Sequence, residues 1–337
     1  MLYVVITFLF LAIVLYFLLG GADFGAGIIE LFTSEKNRSR TRKTSYQAIG
    51  PIWEANHMWL IIAVVIMFVA FPTIYSTMCT YLHIPILIML LGITARGTAF
   101  AFRNYDAIKG ENTQKIYNKV FVNSSFITPL FLGIIAGSVI SRKIDLHATD
   151  FSSAYIFSWL NWFSVTVGLF TVALSGYLAA IYLIGEADNE KDVRRFIVKA
   201  RMMNIAAVIF GGMVFLAAEL EHIGMAHWIF NNPVSLTAVI AASLSLIASW
   251  ILINKGKRKI IRIGAGFQVT MILLAVGYMH FPYMVMIKGG QNLSIFAYHA
   301  TEKTIQVLGL ALLLGSLVIL PSLFYLYYSF QKKSEIV

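Results

Sequence analysis

The chain alternates between long runs of apolar residues and short polar segments, from its first residues to its last. A hydrocarbon core about 30 Å thick needs about twenty mainly apolar residues for one helix to cross it. The runs that qualify are residues 2–32, 53–74, 82–102, 119–141, 156–185, 202–221, 233–253, 260–281 and 305–330. The pattern therefore predicts an all-α polytopic membrane protein with nine transmembrane helices.

The lengths of these runs and of the connections between them predict the packing. The first run has no basic leader and no small-residue cleavage site before polar sequence, so we expect it to remain as the first membrane helix. The first and fifth runs are long, which predicts helices that tilt or extend beyond the membrane. All connections are short, so helices adjacent in sequence should pack antiparallel.

The composition excludes a soluble domain. Of the 337 residues, 59% are hydrophobic and only 12% are charged, which is too little charge to cover a water-exposed surface of this size. We interpret residues 1–337 as a single integral membrane domain. The net charge of +10 would suggest nucleic acid as a partner of a soluble protein. Here the basic residues lie in short clusters between apolar runs, so they indicate membrane topology and no nucleic-acid partner.

The basic residues are divided unequally between the two sides of the predicted membrane domain. The odd-numbered connections and the C-terminal tail contain Lys36, Arg38, Arg40, Arg42, Lys43, Arg103, Lys109, Lys115, Lys119, Lys191, Arg194, Arg195, Lys199, Arg201, Lys255, Lys257, Arg258, Lys259, Arg262, Lys332 and Lys333. The even-numbered connections contain Arg142, Lys143, Lys288 and Lys303. Cytoplasmic connections are enriched in Lys and Arg. The division predicts an N-terminus outside and a C-terminus in the cytoplasm.

The nine helices can be grouped into two pseudo-halves, residues 1–145 and 150–285. Each would form a four-helix bundle, with the helix at 305–330 as an additional peripheral helix. Both halves begin with a long helix that carries small residues near its inner half, such as Gly25 and Gly176. This weak similarity suits two bundles related by an axis along the membrane normal.

A few ionisable residues fall within the predicted helices, where they are costly and suggest function. Asp23 and Glu30 are seven residues apart on the first helix, so they share a face and lie about 10 Å apart along its axis. Glu54 and His57 lie at the cytoplasmic end of the second helix, and Arg96 lies deep in the third. Carboxylates and an imidazole facing the cytoplasm are what a proton entry path requires, because each can hold or release a proton.

Structural roles remain open for the same residues. A buried acid can pair with Arg96 or accept hydrogen bonds from the exposed backbone of the glycine-rich segment. Glu30 can reach the basic inner surface beside Arg38. Haem binding by this chain alone is disfavoured, because only His57 lies near the inner ends of the helices and it has no evident axial partner. Cys79 is the single cysteine, which excludes an intrachain disulfide and a Cys-based metal site. We also expect no catalytic, cofactor-binding or metal-ligating residue in this chain.

Three segments carry a resemblance to a known family. LLGGADFGAG at residues 18–27, PIWEANHMWLI at 51–61 and ITARGTAF at 93–100 together resemble subunit II of the cytochrome bd quinol oxidases. The basic connection between the first two segments and the nine-helix topology also match that family. The resemblance runs through the whole chain, but its specificity comes from residues 18–104.

The resemblance implies a complex in the prokaryotic cytoplasmic membrane that oxidises quinol, reduces oxygen to water and generates proton-motive force. Subunit I of such a complex holds haems b and d and the quinol site. Subunit II binds no haem, stabilises subunit I and is thought to help lead protons from the cytoplasm. A structural quinone or lipid and a small single-helix accessory subunit are further expectations, and membrane lipids surround the complex.

The resemblance also singles out individual positions. The acidic positions of the family correspond to Asp23 and to Glu54, where several relatives have Asp. The extra methylene of Glu54 keeps the acid but changes its reach. With His57, these two residues are the candidates for a proton path. The supporting positions in this interpretation are Trp53, Asn56, Arg96 and Glu30.

A different class of protein would use the same acids differently. In a secondary transporter, Asp23 and Glu54 would bind a coupling proton or ion beside the glycine-interrupted first helix. The second half of the chain has no matching charged, glycine-interrupted helix. We therefore expect a non-catalytic oxidase subunit, with the transporter as the alternative.

Overall fold

A computed structural model describes residues 1–50, 52–105, 110–254 and 258–333. The helices are α1 Leu2–Leu15, α2 Gly21–Leu31, α3 Glu35–Ile49, α4 Trp53–Ala70, α5 Pro72–Tyr81, α6 His83–Tyr105, α7 Glu111–Ile140, α8 Phe151–Tyr155, α9 Trp162–Glu186, α10 Glu190–Leu220, α11 Met225–Asn231, α12 Pro233–Asn254, α13 Arg258–Met279 and α14 Glu302–Lys333. Within the described residues nine helices are long and apolar enough to cross a membrane, which confirms the predicted number. They are α1 continued by α2, then α4, α6, α7, α9, α10, α12, α13 and α14.

Some of the residues named above lie outside the described residues. Lys109, Lys255 and Lys257, which contribute to the unequal charge division, are among them, as is Pro51 of the second resembling segment. The orientation of the helices across the membrane stays a prediction. We therefore call the side that carries most of the described Lys and Arg residues the basic end, and the opposite side the outer end.

Side-chain caps, rather than the limits of the apolar runs, set several helix boundaries. The run at 156–185 becomes α9, which begins later because the Asn161 side chain accepts a hydrogen bond from the Ser164 amide at 2.8 Å. The next span, α10, begins earlier because Asn189 caps the Asp192 amide at 2.9 Å. The fifth helix is therefore shorter than its apolar run, with 25 residues in α9, and the sixth is longer, with 31 residues in α10.

Two other spans differ from their apolar runs. The run at 53–74 is divided at Phe71, because Pro72 begins a new helix in the first turn of α5, where its missing amide hydrogen is not needed. The run at 119–141 extends back to Glu111, since polar residues continue the helix beyond the apolar run.

The first span changes character halfway along its length. Tyr16–Gly20 forms a π-helical turn between α1 and α2, and such turns occur mostly within longer α-helices. Beyond the turn, ten of the eleven residues of α2 are buried. A Cβ atom on Gly25 would overlap the Ser175 carbonyl oxygen in α9, and one on Gly27 would overlap the Ser125 side chain in α7. Glycine thus lets α7 and α9 contact the backbone of α2.

The most buried span is α9, which packs against α2, α7, α10 and α13. Because α2 and α9 begin the two predicted halves, the halves meet along this contact. The division at residues 1–145 and 150–285 stays a prediction. The last span, α14, packs mainly on α1 and α4, and little of its surface is buried in this chain. It therefore lies at the periphery, as the sequence predicts.

The outer end contains a small two-stranded sheet that the sequence pattern did not reveal. β1 Tyr283–Val285 pairs antiparallel with β2 Leu293–Ser294. The Met286 amide donates to the carbonyl of Val139 at 2.8 Å, which attaches the sheet to the end of α7. Nearby, Lys288 pairs with Asp145 at 3.1 Å. The hydrogen bond of the Asp145 carboxylate to the His147 amide and its contact with Lys288 lower the pKa of Asp145.

The close contact of α2 with α9 yields a testable prediction. Gly25→Ala places a methyl group against the Ser175 backbone, which cannot move without shifting α9. We expect a loss of about 1–3 kcal/mol in stability, the usual cost of overpacking. Thermal unfolding and the amount of intact protein in purified membranes would measure it.

Gly212→Ala in α10 is the matched control, since a Cβ there meets nothing within 4 Å. It should leave stability unchanged or raise it slightly, because Ala favours the helix over Gly. Equal effects of the two substitutions would show that the α2–α9 contact does not limit stability.

Candidate functional site

The most buried ion pair in the described structure joins Asp23 of α2 to Arg96 of α6. Arg96 Nη2 donates to Asp23 Oδ1 at 2.6 Å and to the Asp23 backbone carbonyl at 3.0 Å. Arg96 Nε donates to Ser125 Oγ of α7 at 3.1 Å. Both charged side chains are at most 1% exposed. A charge in this position requires a partner, so the pair fixes α2, α6 and α7 relative to one another.

His57 of α4 completes the cluster around Asp23. Its Nε2 lies 3.3 Å from Asp23 Oδ2. The imidazole packs among aromatic rings, with ring-centre distances of 5.4 Å to Phe24, 6.0 Å to Tyr16 and 6.4 Å to Trp53. These rings restrict the imidazole to the vicinity of the carboxylate. The predicted proximity of Asp23, His57 and Arg96 is therefore present.

Aromatic rings also cover the Arg96 guanidinium. Its central carbon lies 5.1 Å from the ring centre of Phe24 and 4.9 Å from that of Phe121, within the range of cation–π contacts. Arg96 Nη1 and Asp23 Oδ2 are buried and have no hydrogen-bond partner among the described residues. His57 Nδ1 and the Tyr16 hydroxyl are likewise buried without a partner among the described residues, so the cluster retains several polar atoms that can bind water.

A small cavity of about 60 Å³ adjoins Asp23 on the side of the α3–α4 connection. Asn56, Tyr182, Ile49 and Ile52 contribute to its lining. Its volume exceeds the roughly 10–15 Å³ that a cavity needs to hold one water molecule. Asn56, a predicted supporting residue, is buried at its edge. The cavity extends from the buried carboxylate toward the basic end.

A second ion cluster surrounds Glu30, one heptad along α2 from Asp23. Its Oε1 lies 2.6 Å from Arg42 Nε of α3, and its Oε2 lies 3.0 Å from Arg103 Nη1 of α6. Arg103 stacks on the ring of Phe121 at 4.0 Å. The expectation that Glu30 would lie beside Arg38 is wrong. α3 folds back as a helix after the membrane span, and this places Arg42 over the carboxylate instead.

The Arg38 side chain donates to the Thr33 carbonyl at 3.4 Å, close to the turn between α2 and α3. The sequence analysis also missed Arg103 as a partner of Glu30. Arg96 and Arg103 are seven residues apart on α6, the same separation as their acidic partners on α2. This shared spacing was a usable signal for the second pair.

Glu54 lies apart from the Asp23 cluster. It is in the first turn of α4, its side chain is exposed, and it makes no hydrogen bond or ion pair within the described part of the chain. The exposed residues Ile61, Val65 and Phe68 follow at helical spacing on the same face. The single inner cluster of carboxylates expected from the sequence is thus divided into a buried site and a surface acid. Trp53 packs against Phe100 at 5.2 Å.

The described histidines do not form a haem or metal site. No group of three or more His, Cys, Asp or Glu side chains is close enough to hold a metal ion within the described residues. His83, His227, His280 and His299 use a ring nitrogen in contacts with groups at most four residues away. His57 faces Asp23 and packs among aromatic rings.

The fold and the site define a polytopic helical membrane protein whose buried charges are paired between its spans. The family model for cytochrome bd terminal oxidase subunit II matches residues 1–330, and the chain belongs to that family. This confirms the family that residues 18–104 resemble. It also identifies a multi-pass protein of the bacterial cytoplasmic membrane and a subunit of a respiratory oxidase complex. A transporter is not favoured.

One curated relative matches nearly the whole chain, and another matches about half of it. Cytochrome bd ubiquinol oxidase subunit 2 of Bacillus subtilis (strain 168) is 26% identical over 327 residues, which cover 94% of this chain and 92% of that protein. Cytochrome bd-I ubiquinol oxidase subunit 2 of Escherichia coli (strain K12) is 23% identical over 177 residues, or 52% of this chain and 46% of that protein.

Among solved structures, the bd oxidase from Geobacillus thermodenitrificans contains a chain with a similar fold. The TM-score is 0.80 at 20% sequence identity, and the match covers 98% of each chain. The nine-helix arrangement is thus that of a bd oxidase chain. Membership in the subunit II family implies a partner oxidase subunit.

The buried pair yields a second prediction. Arg96→Gln leaves Asp23 without its charged partner, and Asp23→Asn leaves Arg96 likewise. We expect each change to cost about 3–5 kcal/mol, because an uncompensated buried charge remains. The double variant should lose clearly less free energy of unfolding than the two single variants lose together. Thermal unfolding of the purified complex in a double-mutant cycle would measure these losses.

Arg40→Gln serves as the control, since Arg40 is exposed on α3. It should change stability by less than about 0.5 kcal/mol, as surface substitutions usually do. Additive losses in the cycle would contradict direct coupling between Asp23 and Arg96.

Proposed function

We propose that this chain is the haem-free subunit II of a quinol:oxygen oxidoreductase. In this role it stabilises the haem-bearing subunit I and conducts protons from the cytoplasm toward the site of oxygen reduction. The observation that carries the proton role is the buried contact between His57 and Asp23 beside the small water-sized cavity. The chain itself performs no redox chemistry.

The residues of the Asp23 cluster suit transient proton binding. Asp23 Oδ1 is occupied by Arg96, whereas Oδ2 faces His57 Nε2. Protonation of the imidazole would place its positive charge next to this carboxylate, which compensates it within the membrane. The remaining acceptor capacity of Asp23 and the adjoining cavity provide places for water. Arg96 balances the charge, while Trp53 and Asn56 position the imidazole and the cavity wall.

Glu54 would contribute from the surface of the chain. Its carboxylate is exposed in this subunit alone, at the basic end of the apolar face of α4. Proton delivery to the same helix that carries His57 requires an acid at that end, and Glu54 supplies one. Glu30 has a structural part in the proposal, because both of its oxygens are held by arginines.

The cofactors of the proposed complex belong mainly to its partner. Haems b and d, when bound in subunit I, supply electron transfer and oxygen reduction. A structural quinone or lipid in this chain is supported by an apolar cavity of about 240 Å³ between α7, α9, α10, α12 and α13. Asn204 and Gln268 are polar groups in its lining. A small single-helix accessory subunit and surrounding lipids complete the proposed assembly.

Purification of the tagged chain from its native membrane tests the assembly directly. We expect a co-purifying haem protein and a reduced-minus-oxidised haem spectrum in the purified fraction. A colourless chain without partners, obtained under gentle detergent conditions, would contradict the oxidase role.

Substitution of Glu54 tests the proton role. Glu54→Gln removes the proton-binding group but keeps the size of the side chain. We expect unchanged haem content and assembly, with oxygen consumption slowed by about tenfold, since acid–base groups commonly contribute at least that much. The rate should be measured with excess quinol over a range of pH.

Glu111→Gln is the matched control, because Glu111 is likewise an exposed acid in the first turn of a helix at the basic end. It should leave turnover unchanged. Normal turnover of the fully assembled Glu54→Gln complex would exclude Glu54 from a required proton path, without affecting its assignment as subunit II.

A further inference from the structure

A second polar cavity, separate from the Asp23 cluster, opens at the basic end between α3, α6 and α7. Its volume is about 260 Å³. The residues that line it are Arg42, Lys43, Tyr46, Arg103, Asn104, Gln114 and Asn118. Three of these are cations, and the described lining contains no acid. The cavity has no part in the proposed proton path.

The charge of this cavity is only partly compensated. Arg42 and Arg103 each donate one N–H group to Glu30, which lies behind them and is fully buried. Lys43 forms no ion pair with any described residue, and its side chain is exposed. Among the described residues, one carboxylate thus faces three cations. The two excess positive charges, together with the remaining guanidinium N–H groups, favour an anion in the cavity.

The amide side chains add a requirement of a different kind. Asn104 Nδ2 donates to the Phe100 carbonyl at 2.8 Å, so one of its two N–H groups is already used. Asn118 Oδ1 is buried and has no hydrogen-bond partner among the described residues. It is an acceptor, and it would be satisfied by a hydroxyl group rather than by the anion itself. A ligand with a phosphate and a nearby hydroxyl fits both features.

The surroundings of the cavity are those of a membrane boundary. Exposed apolar residues lie on two of the three helices that form its walls: Phe102 on α6, and Ile116 and Val120 on α7. Phe102 stacks on Tyr117 with ring centres 5.5 Å apart, which adds an aromatic surface there. Basic pockets between membrane helices bind anionic headgroups, because acyl chains can lie along the adjacent apolar surface.

We propose that this cavity binds a phosphate ester whose headgroup carries a free hydroxyl, such as that of phosphatidylglycerol. The phosphate lies between Lys43, Arg42 and Arg103, and the hydroxyl donates to Asn118. Inorganic phosphate shares the charge but lacks both the hydroxyl and the acyl chains. The site links α3, α6 and α7 at the membrane surface through the bound headgroup.

The test uses the assembled complex, purified in detergent and stripped of loosely bound lipid. Phosphatidylglycerol, phosphatidylcholine and inorganic phosphate are titrated separately, and binding is followed by thermal stability and by mass spectrometry of retained lipid. We expect stabilisation and retention with phosphatidylglycerol, and little of either with phosphatidylcholine. Tight binding of inorganic phosphate with no gain from phosphatidylglycerol would overturn the assignment to a lipid.

Lys43→Glu should weaken phosphatidylglycerol binding by about tenfold or more, because it reverses a charge at the phosphate. Lys36→Glu is the matched control, an exposed lysine on the same helix that does not line the cavity. Lys43→Gln, which removes the positive charge without reversing it, should give an intermediate loss. Equal binding by the Lys43 and Lys36 variants would overturn the proposal.

Discussion

The structure depends on the close approach of two helices to the backbone of α2. No water is available within the hydrocarbon core, so buried polar groups must find partners on neighbouring helices. Gly25 and Gly27 let α9 and α7 approach, and this brings Ser125 beside Arg96. The resulting space between the helices holds one carboxylate, that of Asp23, and one guanidinium, that of Arg96. The ion pair at Asp23 is therefore a consequence of helix packing as well as a contributor to it.

The two acids of α2 use arginines of α6 in the same register. Asp23 pairs with Arg96. Seven residues further along each helix, Glu30 pairs with Arg103. The long arginine side chains cross the gap between these helices, and Phe121 of α7 lies under both guanidinium groups. This arrangement places charge in the membrane without exposing it to lipid. It also separates a buried inner site from a site that is open to the basic end.

This division relates stability to the proposed proton transfer. The arginine pairs are tightly held and define the positions of the helices. His57 makes a longer contact with Asp23 Oδ2, the carboxylate oxygen to which Arg96 does not donate. A proton path needs groups that can change charge without loss of the fold. In the proposed path, arginines carry the permanent charges and His57 contacts the carboxylate, with Glu54 at the surface of the same helix.

The sequence by itself determined the number of spans, the family and three of the buried charged residues, Asp23, Glu30 and Arg96. Apolar length decides whether a segment crosses a membrane, and membrane-embedded charges are rare enough to be noticed individually. Apolar length did not predict the late start of α9 or the early start of α10. Those starts are set by the capping side chains of Asn161 and Asn189, which a count of apolar residues does not detect.

Only the tertiary structure decided which acid meets which base. Hydropathy does not specify the rotation of a helix about its axis, so the sequence placed Glu54 and Asp23 at one site. In the structure Glu54 is exposed and Asp23 is buried. The partner of Glu30 likewise depended on the path of α3, which places Arg42 rather than Arg38 over the carboxylate. These outcomes follow from the rotation of the helices and the path of α3, which local sequence spacing does not contain.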